Sequence, residues 1–347
     1  MENTVETEVI RSLLTLYDFE PAFTGQKSFI HGFEADGRFK LIFRVTLTDG
    51  RMLVLKLLHE EEDTAAEMDK IERQSMFSET MRAHGISTPT RYRANGRYCN
   101  AFTYRDQPCI VTIEDWCGEE LRYITPDIAH QIGALMARMH TLSLEHPCRI
   151  GHGTLFSAAY ENDVDAFPRF CALTRDERLD QAVSARIRAL HDEKLAKLRA
   201  VWETLPKAAV QGDISINNLV LTADGLTVFD YNNAGDEVLI SDLVMEGLLT
   251  ACEMDLPEGV PSSEREALFP AFLAGYLSVR PLSDAESAAA WEAYTLYHAL
   301  WFTRIVYNDD SLSACVSRGE FDAANRLLAQ MLADMEESDD GRFRRST

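Results

Sequence analysis

A short strand-like segment, Asn218–Tyr231 (NLVLTADGLTVFDY), interrupts a pattern that is otherwise helical through most of the chain after Glu114. The segment consists of two apolar runs on either side of Asp224-Gly225, a pair that favours a tight hairpin turn. Amphipathic helical periodicity surrounds it in five segments, which are Asp127–His140, Val183–Thr204, Ser262–Leu277, Asp284–Tyr307 and Glu320–Glu337. A hairpin embedded among helices indicates an α+β fold.

The first third of the chain is typical of a small antiparallel sheet. Strand patterns occupy Phe39–Thr46, Arg51–Leu58, Tyr98–Tyr104 and Cys109–Ile113. The first two flank Asp49-Gly50, a second hairpin signal, and a helix is predicted over Glu62–His84 with Gly85 at its C′ position. These patterns predict a sheet-rich N-lobe over residues 1–114 and a larger, mainly helical C-lobe over residues 115–347, joined by a short connector.

Polar residues at a regular spacing surround the second hairpin. Gln211-Gly212-Asp213 precedes it, Asn218 begins it and Asp230 ends it. In kinase-type phosphoryl transfer, one aspartate orients the attacking hydroxyl, while an asparagine and a second aspartate hold Mg²⁺. Each of these short motifs alone would more often be a loop, turn or cap. Their coincidence around one hairpin, which would fold Asp230 back beside Asn218, favours a catalytic loop with the oxygen ligands that Mg²⁺ requires.

The segment Gln211–Leu243 resembles the aminoglycoside phosphotransferase and choline kinase group of small-molecule kinases. That group has H-G-D-x-x-x-x-N, then D-F-x-x-A-G, then D-L. This chain has QGDISINN, then DYNNAG, then Asp242-Leu243. The similarity extends to LMARMH at Leu135–His140 and to the hairpin that carries Lys56, and it loosely covers residues 28–310.

This resemblance implies a bilobal protein-kinase-like fold that uses ATP and Mg²⁺. It implies Asp213 as the catalytic aspartate, with Asn218 and Asp230 as the Mg²⁺ ligands. Gln211 stands where the group has a histidine that braces the catalytic loop. Because glutamine keeps both a donor and an acceptor, we expect activity to survive this change. Tyr231 is a second departure, since many relatives have phenylalanine after the metal-binding aspartate.

Lys56 is the candidate for binding the phosphates of the nucleotide. It lies between apolar residues on the strand after the first hairpin and matches the kinase lysine that meets the α- and β-phosphates. The alternative is an exposed lysine on an edge strand. The predicted ion-pair partner of Lys56 is Glu72, in the helix that follows. Glu79, two turns later on the same helix face, is the second candidate for this pair.

Weaker signals concern the rest of the site. Gly37 is the candidate for a phosphate-covering loop, although the chain has no G-x-G-x-x-G there and an ordinary turn is the alternative. The connector, with Ile113 and Asp115, is predicted to contact the nucleotide. His140 is interpreted as a buried brace rather than a base, and Asp242 as a support for the catalytic loop.

The composition narrows the possible partners. The chain has 56 acidic and 34 basic residues and a net charge of −22, which argues against nonspecific binding to nucleic acid or to an anionic membrane. The charge is compatible with a cationic substrate, although an acidic surface also serves solubility. Seven cysteines without a C-x-x-C pair, no apolar run near the ~20 residues of a membrane span and no signal peptide predict a cytoplasmic protein.

The resulting hypothesis is an ATP-dependent kinase that phosphorylates a hydroxyl of a small molecule. The acidic composition favours a cationic amino-alcohol or an aminoglycoside-like sugar as the acceptor. Three alternatives stay open: a kinase for homoserine, another sugar or a protein hydroxyl; a nucleotide-binding pseudokinase; and an unrelated α+β binding protein. The oligomeric state is not indicated.

Overall fold

The computed structural model describes residues 4–34, 37–59, 64–152, 157–160 and 165–344. The strands are β1 (Phe23–Phe33), β2 (Phe39–Leu47), β3 (Met52–His59), β4 (Cys99–Tyr104), β5 (Gln107–Asp115), β6 (Lys207–Val210), β7 (Leu219–Thr222), β8 (Gly225–Val228) and β9 (Gly235–Val238). The α-helices are α1 (Thr7–Leu16), α2 (Thr64–Ala83), α3 (Pro126–Glu145), α4 (Phe167–Leu173), α5 (Gln181–Val201), α6 (Leu239–Cys252), α7 (Leu268–Val279), α8 (Asp284–Ala299), α9 (Leu312–Arg318) and α10 (Phe321–Met335).

Contacts divide the chain into two compact units. Unit 1 comprises residues 1–121, 148–151 and 218–232, and unit 2 comprises residues 122–147, 152–217 and 233–347. Each unit combines several separate stretches of the chain, whereas the predicted lobes are continuous in sequence. The predicted division near residue 114 therefore stays a prediction. Within the described part of the chain, no helix is both long enough and apolar enough to cross a membrane.

Unit 1 contains a five-stranded antiparallel sheet with the order β1-β2-β3-β5-β4. The predicted turn at Asp49-Gly50 joins β2 to β3, and Gly50 has the positive φ of +87° that a glycine adopts without strain. One sheet face packs against α1 in a core that includes Ile10, Leu13 and Leu14, which recur at helical spacing. Burying each such side chain contributes about 1.5–3 kcal/mol.

The helix α2 ends as its sequence predicts. Gly85 has a φ of +86°, its N–H donates to the carbonyl of Arg82, and the N–H of Ile86 donates to the carbonyl of Met81. This is the Schellman arrangement, which satisfies the last carbonyls of a helix. The predicted first residues, Glu62 and Asp63, lie outside the described residues.

The second predicted hairpin is also present in unit 1. Strands β7 and β8 pair antiparallel from Leu219 opposite Val228 to the turn at Gly225, whose φ is +113°. Beyond the last pair, the N–H of Phe229 donates to the carbonyl of Asn218 at 3.0 Å. The chain therefore returns beside its own starting point, as the spacing of the polar residues requires.

Unit 2 is mainly helical, and α3 packs closely against α7. A β-carbon added at Gly133 would collide with the backbone carbonyl of Phe272, and one added at Gly275 would collide with the backbone of His130. The two helices therefore pack backbone against backbone at this point, which requires glycine on both. The short strands β6 and β9 pair antiparallel elsewhere in the unit.

Two predictions for the unit 2 helices need correction. The predicted helix Ser262–Leu277 begins as a 3₁₀ helix, Ser262–Ala267, before α7. Pro270 lacks the N–H that a helix interior needs, so the α-helix starts where this proline falls in the first turn. The predicted helix Asp284–Tyr307 ends at Ala299 and is followed by a π-helical segment, Thr303–Tyr307. The short helices α4 and α9 and the buried helix α6 were not predicted.

Candidate active site

Lys56 is buried in unit 1 between two carboxylates. The strand β3 holds it at 4% exposure, with its Nζ 3.1 Å from Oε1 of Glu114 and 3.4 Å from Oδ1 of Asp230. Burial alone would lower the pKa of Lys56, but Asp230 and Glu114 together raise it, so the ammonium is charged. The interpretation as an exposed edge-strand lysine is wrong, because β3 is an inner strand of the sheet.

Asp230 follows the β7–β8 hairpin in an uncommon backbone conformation. Its φ is +53°, in the left-handed region, and its Oδ1 accepts the N–H of Asn232 at 3.3 Å. Burial would raise the pKa of Asp230, but Lys56 and Arg91 lower it below the ordinary value. The lowered pKa leaves the carboxylate of Asp230 ionised at neutral pH, which makes it well suited to a cation.

The polar groups of unit 1 fit a nucleotide phosphate with a divalent cation. Asn218 is buried and precedes β7, and Asp230 follows β8, so an amide and a carboxylate flank the same open end of the hairpin. Both are oxygen-bearing side chains of the kind that a divalent cation prefers. Lys56 Nζ forms no aligned hydrogen bond with the described residues despite its two nearby carboxylates. Its N–H groups therefore suit a phosphate oxygen. Among the described residues, no three His, Cys, Asp or Glu side chains are close enough together to form a metal site of their own.

The predicted ion pair between Lys56 and Glu72 is wrong. The carboxylate of Glu72 instead accepts the backbone N–H of Tyr98 at 2.9 Å and, more weakly, that of Cys99 at 3.4 Å. The second candidate, Glu79, pairs with Arg82 three residues along the helix, with the closest approach at 2.7 Å. The glutamate that pairs with Lys56 is Glu114, on the neighbouring strand β5. The spacing of residues within α2 could not predict a partner on another strand.

The weaker nucleotide candidates occupy the β1–β2 turn and the end of β5. Gly37 has a φ of +99° and open space around it, while its neighbours Ala35 and Asp36 lie outside the described residues. The side chain of Ile113 is in the core that contains α1, on the sheet face opposite Lys56. Asp115 lies two residues further along β5, and its carboxylate accepts a hydrogen bond from the hydroxyl of Tyr92 at 2.7 Å. That Gly37, Ile113 and Asp115 bind the nucleotide stays a prediction. In that role they would contact it through their backbone N–H and C=O groups.

The segment that carries Asp213 is held within unit 2. The N–H of Asp213 donates to Oε1 of Gln211 at 2.8 Å, and Nδ2 of Asn233 donates to Oδ2 of Asp213 at 3.0 Å. The N–H of Ile214 donates to Oε2 of Glu246 at 2.8 Å. Both the backbone and the carboxylate of Asp213 are therefore oriented by neighbouring amides and carboxyl groups.

Gln211 performs part of the bracing that the resemblance assigns to a histidine. We expect Gln211→His to preserve turnover or raise it slightly, because an unprotonated ring nitrogen can accept the same N–H of Asp213. The pH–rate profile of the variant, measured against the unchanged protein, checks this. Complete loss of turnover in a folded variant would show that the segment depends on the glutamine amide itself.

Glu246 is a functional candidate that the sequence reasoning missed. It is fully buried in α6, one turn after Asp242, and its second oxygen has no hydrogen-bond partner among the described residues. Burial, reinforced by the negative charges of Asp242 and Asp213, raises the pKa of Glu246 well above its ordinary value. An acidic residue within an otherwise apolar helix was the signal that could have found it.

The raised pKa of Glu246 predicts a pH effect on stability. A carboxyl whose folded pKa is raised contributes stability below its unfolded pKa and loses it as the pH rises through the folded pKa. We therefore expect the melting temperature of Glu246→Gln to exceed that of the unchanged protein by a margin that grows as the pH rises above the ordinary carboxyl range. The control Glu246→Ala, which loses the bond to Ile214, should melt lower throughout. Parallel melting curves for the glutamine variant and the unchanged protein would contradict the assignment.

His140 and Asp242 form a separate buried pair in unit 2. Nε2 of His140 lies 2.9 Å from Oδ2 of Asp242, and its Nδ1 lies 2.8 Å from the hydroxyl of Tyr276. Both ring nitrogens are engaged with protein groups, which fits the interpretation of His140 as a brace. Glu246 contacts the segment that carries Asp213 directly, through the N–H of Ile214, whereas Asp242 contacts His140.

Neither a protein-family model nor a curated protein matches this sequence. Many solved structures match this chain, and three of those that match over nearly its full length are described next. An amicoumacin kinase in complex with AMP-PNP, Ca²⁺ and Ami is 16% identical, covering 95% of this chain and 94% of that chain, with a TM-score of 0.60. A microcompartment-associated aminopropanol kinase is 18% identical, covering 98% and 99%, with a TM-score of 0.58. An aminoglycoside phosphotransferase from Alicyclobacillus acidocaldarius subsp. acidocaldarius is 12% identical, covering 96% and 97%, with a TM-score of 0.53.

These similarities define the class of fold. The chain has the α+β, bilobal protein-kinase-like fold, and its structural neighbours are small-molecule phosphotransferases. The resemblance predicted from the motifs is confirmed in this respect. At 12–18% identity, these neighbours establish the fold of the chain.

Proposed function

We propose that this chain is an ATP-dependent phosphotransferase that moves the γ-phosphate to a hydroxyl of a small molecule. The observation that carries the proposal is the buried contact between Lys56 of β3 and Asp230, which lies 3.4 Å away in a left-handed conformation after the hairpin. The two residues are far apart in sequence, and each is the type that kinase chemistry requires at that place.

The roles follow from the chemistry of each side chain. Lys56 would bind phosphate oxygens with its buried ammonium, while Asn218 and Asp230 would hold Mg²⁺, which offsets the negative charge of the phosphates when bound. Asp213 would accept or orient the proton of the acceptor hydroxyl, with its carboxylate aimed by Asn233. Catalysis would thus rest on positioning and electrostatics rather than on a covalent intermediate.

The alternatives differ in how the site residues are used. A pseudokinase would bind nucleotide without transfer, but the lysine, both proposed metal ligands and the catalytic aspartate are all present in this chain. Kinases for homoserine, another sugar or a protein hydroxyl would share these residues and differ only in the acceptor. An unrelated binding protein is not favoured, because the fold is that of phosphotransferases.

The first experiment measures melting temperature with ATP and Mg²⁺, because a ligand that binds only the folded state raises it. A phosphorylation screen of hydroxyl-bearing metabolites, amino-alcohols and aminoglycosides with the purified protein then follows. Stabilisation together with turnover supports the kinase, and stabilisation without turnover on any acceptor favours the pseudokinase. Absence of both would contradict the proposal.

The acidic composition leads to a prediction about the acceptor. With a net charge of −22, the protein should attract a cationic acceptor, and salt should weaken that attraction. We therefore expect kcat/KM for a cationic amino-alcohol or aminoglycoside to fall as ionic strength rises, whereas a neutral acceptor serves as the control. If the best acceptor is neutral or anionic and its kinetics ignore salt, the charge concerns solubility alone.

A further inference from the structure

Four charged residues form a cluster in unit 1: Lys56, Arg91 and Glu114, which are buried, and Asp230, which is half-buried. Glu114 is only 4% exposed and Arg91 6%. One oxygen of the Glu114 carboxylate lies 3.1 Å from Nζ of Lys56, and the other accepts Nε of Arg91 at 3.0 Å. Each oxygen therefore faces a different cation, and the carboxylate is held from both sides.

The cluster is also fixed to the helix α2 and to the backbone. Nη1 of Arg91 donates to the hydroxyl of Ser75 at 2.8 Å, and that hydroxyl donates to the carbonyl of Ile71 within the helix at 2.7 Å. The backbones of Arg91 and Glu114 form an isolated antiparallel β-bridge. The position of the Glu114 carboxylate is thus set by rigid neighbours rather than by the lysine that it contacts.

We propose that Glu114, anchored by Arg91, is the residue that positions Lys56 for the nucleotide phosphates, an inference that rests on the proposed function. Lys56 contacts two carboxylates, and Asp230 is the one assigned to the metal ion. Glu114 is then the partner that keeps the ammonium in place. The helix α2 contributes through Ser75 and Arg91 instead of through a glutamate of its own.

The balance of charge explains why Arg91 belongs to the cluster. Two cations and two carboxylates cancel, which limits the cost of burying them together. Arg91 also occupies the oxygen of Glu114 that does not face Lys56, and a guanidinium is the side chain best suited to hold a carboxylate in a set geometry. Without Glu114, Asp230 would be the one carboxylate within ion-pair distance of Lys56 among the residues that the structure describes.

The test measures the dissociation constant of ATP with Mg²⁺ by titration calorimetry. We expect Glu114→Gln to weaken ATP binding by at least about tenfold, because truncating a buried charge pair costs this much or more. Glu8→Gln is the matched control, since Glu8 pairs with Arg11 on the exposed surface of α1. Melting temperatures without ligand establish that each variant is folded.

A double-mutant cycle separates positioning from general stability. In a Lys56→Met background, Glu114→Gln should cause no further loss of ATP affinity, because the group that it positions is already gone. If Glu114→Gln alone does not fold, Arg91→Met combined with Glu114→Gln removes one charge of each sign and should show the same tenfold loss.

The outcomes distinguish this inference from the function on which it rests. If the unchanged protein neither binds ATP nor transfers phosphate, the proposed function fails and the inference with it. If the unchanged protein binds ATP and Glu114→Gln binds it equally well, only the inference is overturned. A tenfold loss in Glu72→Gln instead would also overturn it, because it would assign the positioning role to the helix.

Discussion

Replacing Asp230 with asparagine is expected to lower kcat by about a thousandfold, equivalent to ~4 kcal/mol of lost transition-state stabilisation. The variant keeps the size and one oxygen of the side chain but removes the charge that faces Lys56 at 3.4 Å and that would hold the metal ion. A neutral amide is a much poorer ligand for Mg²⁺ than a carboxylate. The measurement is turnover at saturating ATP and Mg²⁺, with the acceptor found by the screen.

The matched control for this variant is Asp224→Asn, which makes the same change at the exposed turn of the same hairpin. It should leave kcat unchanged. Lys56 retains Glu114 in the Asp230→Asn variant, so the fold should persist, and a melting curve checks this. Near-normal turnover at saturating ATP would remove Asp230 from the metal site.

Asp213→Asn is expected to lower kcat by about 10²–10⁴-fold, the range typical of a lost general base, while ATP affinity stays the same. Asparagine can still accept the hydrogen bond from Nδ2 of Asn233, so the segment should keep its conformation. What is lost is the ability to take or orient the proton of the acceptor hydroxyl. The variant therefore separates chemistry from nucleotide binding, whereas Asp230→Asn should affect both.

Turnover and ATP binding are measured together for the Asp213 variant. Asp322→Asn, an exposed change on α10 in the same unit, is the control for a lost aspartate charge. A loss of ATP affinity as large as the loss of turnover would argue that Asp213 serves the nucleotide. Retained turnover would assign the proton transfer to another residue.

The features that could be predicted from the sequence are those set by local chemistry. Asp49-Gly50 and Asp224-Gly225 each mark a hairpin because glycine adopts the positive φ that these turns require. Gly85 ends α2 for the same reason. The proximity of Asn218 to Asp230 could be predicted as well, because a hairpin brings the two ends of its segment close together.

The features that were missed depend on contacts between distant parts of the chain. Glu114 reaches Lys56 because β3 and β5 are paired in the register that places Val54 opposite Glu114. The residue pattern within β3 or β5 does not predict that register. The helix α6 escaped prediction for a different reason: it is buried on nearly all sides, so its apolar residues show no amphipathic period. Glu246 was missed together with it.

The backbone contact between Gly133 and Gly275 determines how a mutational survey of this chain should be interpreted. Any β-carbon at either position would force α3 away from α7. Those helices carry His140 and Tyr276, whose contact with each other depends on the close approach of α3 and α7. Selection for activity would therefore rank both glycines with the reacting residues, although neither touches a reacting group. Intolerance to substitution at these two positions would report helix spacing rather than chemistry.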